Sequence, residues 1–510
     1  MTPILRKVAE DQQKNQLVWF VLIGLLYLIA TALNAVRKFW FDELFTFYIA
    51  RLPNMATVWK ALMDGADLNP PLFFAATKGA MAVFGPGEYA VRIPAMLGFF
   101  VLCSGLYVFV SNRAGASFGF VAMLFPMVTG AFIYATEARA YGMMLGCCGV
   151  ALVAWQRAND VARRTGWLVL LAVSLTAALL THCYAVLMLV PFGIGALVRD
   201  YYRRKIDWGI WFCLVIPSLA VCSYLPLLGA AKSIAVDNSV FRPELFSLSR
   251  FYEFLLAPAI WPLFAGAVIV AFAAERIGRK EGGVFPTHEM AAAFGFLLVP
   301  LFAILLAVFV SRIFMLRYGL GAVIGVSILV SAGSSAFTRR SKSVGAALVL
   351  LLASWFAGTT AVWVATQVAA PLEESLLGKV PFERLRPELP VVISSGLLFL
   401  EMDHYSTSAV ASRLNYLMDE EISRKKTGSD VFDKGFLISK RWFPIRGNLQ
   451  DYHSFLAAHP KFLLYGYSSF DLDWLIPKLI EDGATMTYLG QQGPIKQRTV
   501  LFEVESPGSR

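Results

Sequence analysis

The chain has 510 residues, 57% of them hydrophobic and only 16% charged, with a mean hydropathy of +0.61. A soluble protein of this size cannot hide that much apolar surface, so the composition selects a polytopic α-helical membrane protein. The net charge of +10 does not mark a nucleic-acid binder, because the basic residues sit in short clusters between apolar segments, the pattern that records membrane orientation.

The opening stretch, "MTPILRKVAEDQQKNQ", is polar and carries no cleavable signal-peptide pattern. Leu17–Val36 then supplies the ~20 apolar residues that a bilayer span requires. Basic clusters follow at Arg113, Arg157/Arg163/Arg164, Arg199/Arg203/Arg204/Lys205, Arg276/Arg279/Lys280 and Arg339/Arg340/Lys342. With these and Arg6/Lys7/Lys14 on the cytoplasmic side, the first span runs outward and residues 37–91 stay outside. Further spans are predicted near 92–110, 117–134, 141–156, 166–184, 186–198, 208–228, 253–273, 290–310, 318–336 and 344–364. That makes eleven crossings, with the N-terminus inside and the C-terminus outside. Pro71–Phe84 is apolar but, at ~14 residues, short for a span. It is predicted to be re-entrant or to lie against the membrane, since a crossing there would flip every later basic cluster outside.

After residue 370 the composition changes. A proline-punctuated linker, residues 371–390, leads to strand-like runs at 391–395, 461–467, 484–490 and 499–505. These alternate with helix-like stretches near 402–423, 449–458 and 471–482, which predicts an extracytoplasmic α/β domain over residues 391–510. Residues 1–370 form the transmembrane domain, with 37–91 as its first external region. All six cysteines lie in apolar segments without metal-type spacing, so no disulfide framework is expected.

Three predicted external loops bring acids to one membrane face: Asp42 and Glu43 in "FWFDELFTFY", Asp64 and Asp67 before "NPPLF", and Glu137 in "YATEARAYGMML". An acid at a membrane boundary is as often a solvated cap, but it can also act as a base on an acceptor hydroxyl or amine. Arg37, Lys38, Lys78, Arg92, Arg139, Arg312 and Arg317 lie on the outer side, against the positive-inside rule. Each alone reads as a snorkelling side chain. Together they describe the cations that a lipid-linked phosphate needs, beside several carboxylates. His182, in "LLTHCYAVLML", ends a span at the same level and is either a packing residue or a phosphate contact. The other four histidines show no metal-ligand spacing, so no cofactor is called for and a divalent metal is left open. There is no Walker A motif and no Rossmann fingerprint, which argues against an ATP-driven transporter.

The ordered motifs "FDE", "DLNPPLF", "FGPGEYAVRIPAMLG", "YATEARAYGMML", "THCYAVLMLVP" and "RYGLGAVIG" resemble those of the GT-C superfamily of membrane glycosyltransferases. The resemblance is strongest to the branch of protein O-mannosyltransferases and the lipid A aminoarabinose transferase, and within it to bacterial lipopolysaccharide-type transferases. It runs over roughly residues 15–335 in register. It implies a GT-C fold of about 11 transmembrane helices. It also implies transfer of a hexosyl or pentosyl group from a polyprenyl-phosphate carrier to a glycolipid, polysaccharide or protein acceptor. The side implied is the periplasmic face of a bacterial inner membrane. Asp42 matches the family's catalytic carboxylate and Glu43 its acidic neighbour. Arg139 and His182 match positions near the donor phosphate, and Arg317 and Tyr318 match a late "RY" pair. Asp67, Asn69, Lys78, Arg92, Glu137 and Tyr141 complete the implied substrate-binding set.

The chain departs from the family twice. Asn69 stands before the double proline where relatives place His or Lys. Phe74 stands where protein mannosyltransferases carry a Lys, and Lys78 lies one helical turn further on. The implied partners are the lipid-linked donor, the acceptor and the bilayer, with no nucleic acid. A lipid-phosphate leaving group is already activated, so a base at the acceptor and cations at the phosphate suffice. Two other classes remain in view. A Wzy-like polymerase or ligase would carry a large external loop between later spans. A lipid flippase would be marked by inverted repeats. The chain shows neither pattern.

Overall fold

The computed structural model describes residues 3–227, 229, 241–277, 285–369, 386–492 and 498–506. Two compact units emerge: residues 1–37, 68–228 and 243–363 form one, and 38–67, 229–242 and 364–510 the other. Of the predicted linker 371–390, residues up to 385 lie outside the described ones.

The first unit is helical. Among the described residues, six helices are long and apolar enough to cross a membrane: Gln16–Asn34, Glu88–Ala114, Cys183–Arg203, Trp208–Leu227, Ser247–Arg276 and Lys342–Thr366. Thr287–Leu297 and Val299–Ser311, bent by 48°, make a seventh if taken as one span. The other predicted spans fall on shorter apolar helices, Ala116–Val128, Thr165–Thr181 and Ala322–Phe337, or on Tyr141–Asp160, whose last turns carry Gln156, Arg157 and Asp160. Leu17, Leu22, Leu25, Leu28 and Ile29 are exposed on Gln16–Asn34 while Tyr27 and Ala30 are buried. Such an apolar outer face suits a lipid surrounding. Leu72–Phe84 has 13 residues, so it reaches ~20 Å against a hydrocarbon core of ~30 Å. Pro71 starts it, where a missing N–H leaves no donor unsatisfied.

Glycines set the approach of two central helices, Glu88–Ala114 and Tyr141–Asp160. A Cβ on Gly98 would sit 2.4 Å from Met143 Cα, and one on Gly142 2.4 Å from the Ala95 oxygen. One on Gly146 would sit 2.4 Å from the Gly98 oxygen. Backbones meet this closely only when small residues line the contact, which then gains dispersion without side-chain ordering. Towards the other end of the same pair, Arg113 holds Asp160 at 2.8 Å and Glu289 at 2.5 Å. Asp207 takes Arg164 at 2.5 Å and Arg199 at 2.8 Å. Several residues of the basic clusters are thus paired with acids.

The second unit holds a six-stranded sheet of β1 (Val391–Ile393), β2 (Leu414–Met418), β3 (Asn448–Asp451), β4 (Lys461–Tyr467), β5 (Thr485–Gln492) and β6 (Thr499–Glu505), in the order β3-β2-β1-β4-β6-β5. Strands β3, β2, β1 and β4 are parallel, with Val391 opposite both Leu414 and Leu463. Strands β4, β6 and β5 are antiparallel, with Leu464 opposite Phe502. The α/β expectation is met, with two strands added. The stretch predicted as helical over 402–423 ends its first helix at Tyr405 and contains β2. Four of the five β2 residues are buried, and a strand covered on both faces loses the alternation that distinguishes it from a helix. Residues 38–67, expected as an external part of the transmembrane domain, group with this unit. Their helix Phe41–Arg51 packs on Gly396–Tyr405.

Candidate functional site

In the first unit, Arg139, Tyr141, His182, Arg317 and Tyr318 come together. Tyr141 opens the glycine-packed helix Tyr141–Asp160, and Arg139 lies in the turn before it, donating its N–H to the Glu137 carbonyl at 2.7 Å. Arg139 and Tyr141 are buried and Glu137 is half-buried. His182 ends the helix Thr165–Thr181 with extended backbone, φ −151° and ψ 133°. Its Nδ1 accepts the Tyr184 N–H at 3.1 Å. An accepting Nδ1 places the ring proton on Nε2, so the imidazole is neutral with Nε2–H as its donor.

The rings pack closely. Tyr141 lies 4.7 Å from His182 and 5.0 Å from Tyr134, centroid to centroid. Arg317 and Tyr318 come from the short turn Leu316–Gly319. The Arg317 guanidinium stands 5.9 Å from the Tyr141 centroid, within reach of a cation–π contact. Tyr318 stacks on Tyr184 at 3.9 Å and 16°. The Tyr184 hydroxyl meets Ser311 Oγ and the Ile313 oxygen, each at 2.9 Å. Both the Arg139 and Arg317 charges act on His182 and Tyr141. Two guanidinium groups and an imidazole N–H among aromatic walls suit a phosphate, since charge-assisted bonds strengthen where water is scarce.

Other sequence candidates in this unit stand differently. Arg92 is fully buried, and its Nη1 donates to the Ala35 and Arg37 carbonyls at 2.8 and 2.7 Å. It satisfies carbonyls just beyond the end of Gln16–Asn34, a structural task that helix ends require. Arg37 donates to the Thr136 carbonyl at 3.1 Å. Cys183 Sγ donates to the Leu68 carbonyl at 3.3 Å, beside the half-buried Asn69. Lys78 is half-buried on Leu72–Phe84, and Arg312 is exposed at φ 59° where the bent span ends.

Asp42, Glu43 and Asp67 belong to the second unit. Asp42 and Glu43 occupy the first turn of Phe41–Arg51, where carboxylates meet the positive end of the helix dipole. Asp42 is half-buried. Glu43 is fully buried, and its Oε2 accepts the Trp40 N–H at 3.3 Å, the return arm of a capping box. Asp67 is buried, while Asp64 is exposed and accepts Trp442 Nε1–H at 3.1 Å. Among the described residues no group of three or more His, Cys, Asp or Glu side chains is placed to hold a metal ion.

Tyr184 and Glu401 are among the residues with a part in these arrangements that were not singled out from the sequence. Tyr184 lies two residues after His182, and that spacing was its only signal. Glu401, which accepts the Phe41 N–H at 3.0 Å, has no local signal, because its partner lies 360 residues away in the chain.

Residues 68–226 match the model of the family described as dolichyl-phosphate-mannose-protein mannosyltransferase. No curated protein sequence matches the chain. The crystal structure of ArnT from Cupriavidus metallidurans bound to undecaprenyl phosphate is similar over 96% of this chain and 98% of that one, with a TM-score of 0.53 and 14% identity. The apo structure of the same protein covers the same shares at 14% identity and a TM-score of 0.42. Polytopic helices, a C-terminal α/β sheet and a likeness that runs almost end to end show that the chain shares the fold of the lipid-bound ArnT structure, and the family model covers residues 68–226 of this chain.

Proposed function

We propose that this protein transfers a sugar from a polyprenyl-phosphate carrier to a cell-envelope acceptor on the periplasmic face of a bacterial inner membrane. The observation that carries this reading is the cluster of Arg139, His182 and Arg317 walled by Tyr141 and Tyr318. A polyprenyl phosphate is what such a cluster suits in a multi-pass membrane protein, and undecaprenyl phosphate is bound in the ArnT structure of like fold. In the proposed reaction Asp42 takes the proton of the acceptor hydroxyl or amine as that atom bonds to the anomeric carbon. The bond from that carbon to the phosphate oxygen breaks, and Arg139, Arg317 and the His182 Nε2–H hold the charge that develops there. Glu43 keeps the Asp42 turn in place. Asn69, with Lys78, offers a neutral donor and one cation where relatives have more charge. Asp67, Glu137 and Arg92 support these segments.

Mass spectrometry of envelope glycans and lipids, with and without the gene, tests the reading. Loss of one sugar substituent from a single acceptor class is expected. Unchanged glycans with a redistributed lipid would contradict it and favour a flippase.

A further inference from the structure

We propose that Glu401 of the C-terminal unit is a positioning residue for sugar transfer, fixing the turn that carries Asp42; the proposal rests on Asp42 being the base. Three successive backbone N–H groups precede that residue, and a helix start leaves such donors without intrahelical partners. The Phe39 N–H donates to Tyr405 Oη at 2.6 Å, the Trp40 N–H to Glu43 at 3.3 Å, and the Phe41 N–H to Glu401 Oε1 at 3.0 Å. Two of the three acceptors therefore come from one helix, Gly396–Tyr405, more than 300 residues later in the chain. The same face is held by aromatic packing. Phe41 lies 5.5 Å from Phe432, and Tyr48 stacks on Phe443 at 5.1 Å while its hydroxyl bonds His404 Nδ1 at 2.7 Å.

These contacts order the backbone on which Asp42 sits. Glu401 is half-buried, and burial pushes its carboxyl up to about 7, with the charge of Glu43 adding to the rise. A carboxyl is a costly acceptor in such a place, where a neutral amide would accept the same bond. What it holds is the N1 position of a helix whose next residue is the proposed base.

The test uses the full-length protein reconstituted with a polyprenyl-phosphate-linked sugar donor. Glu401→Ala is expected to lower kcat about tenfold or more with the donor KM unchanged, since small displacements of a catalytic group cost rate before affinity. Glu401→Gln keeps an acceptor oxygen and is expected to restore most of the rate. Hydrogen exchange of the 38–45 segment provides a readout independent of catalysis, with faster exchange expected in Glu401→Ala and near-wild-type exchange in Glu401→Gln. Wild-type kcat in Glu401→Ala, or a Gln variant as slow as the Ala variant, would overturn the proposal. Retained transfer by Asp42→Asn would instead remove the base assignment, leaving the exchange result to report on positioning alone.

Discussion

His182 draws its chemical character from a single bond. Because Nδ1 accepts the Tyr184 N–H, the ring offers Nε2–H as a donor. The residue itself was legible in the sequence as a histidine at a span end, but its tautomer was not, since that is set by backbone turning two residues on. Arg139 and Arg317 were legible for a different reason: arginine on the outer side works against membrane orientation and needs a cause. Replacing either by Gln is expected to weaken binding of undecaprenyl phosphate about 10- to 100-fold, the range of a lost charged hydrogen bond. Binding by microscale thermophoresis in nanodiscs checks this, and wild-type affinity in both variants contradicts the assignment. Arg92 belongs to the same sequence pattern, yet its Nη1 serves two carbonyls. Charge at an outer position tells that a role exists, and only the contacts tell which.

A second prediction at this scale concerns pH. Burial pushes the Asp433 carboxyl up to about 7, against ~4 for an unfolded aspartate. The folded protein therefore binds that proton more tightly, so the stability linked to it is full below ~4 and lost as pH rises through about 7. Asp433→Asn is expected to raise Tm at pH 8 more than at pH 5. Thermal unfolding in detergent at the two pH values measures this, and an equal shift at both would contradict it.

Among the elements, the pair Glu88–Ala114 and Tyr141–Asp160 sets where Tyr141 and Arg139 stand. Gly146→Leu would drive a side chain into the Gly98 backbone, where even a Cβ comes within 2.4 Å. A destabilisation of about 1–3 kcal/mol is expected, with loss of transfer. Gly79, whose Cβ would meet nothing within 4 Å, is the contrast: Gly79→Ala on Leu72–Phe84 is expected to be neutral or stabilising by up to ~1 kcal/mol. Equal melting temperatures for the two variants would refute the close-packing account. Hydropathy found the long spans because length and apolarity are local properties. The strand β2 escaped because burial on both faces erases its period, and β3, "NLQD", escaped because it is polar and short.

For the whole molecule, multi-pass membrane helices and a C-terminal α/β sheet were both readable from composition shifts along the chain. The grouping of residues 38–67 with the C-terminal unit was not, because it arises from pairs such as Phe41 with Glu401 that no local pattern connects. That grouping gives the sheet domain a task the sequence left open, the mounting of the segment that bears Asp42. Asp42 is the residue on which the whole reading turns. The direct measurement is sugar transfer by purified Asp42→Asn protein alongside its binding of undecaprenyl phosphate. Loss of a general base costs about 10²- to 10⁴-fold in rate, so transfer is expected to fall by that much with lipid binding unchanged. Near-wild-type transfer by the Asn variant would contradict the account.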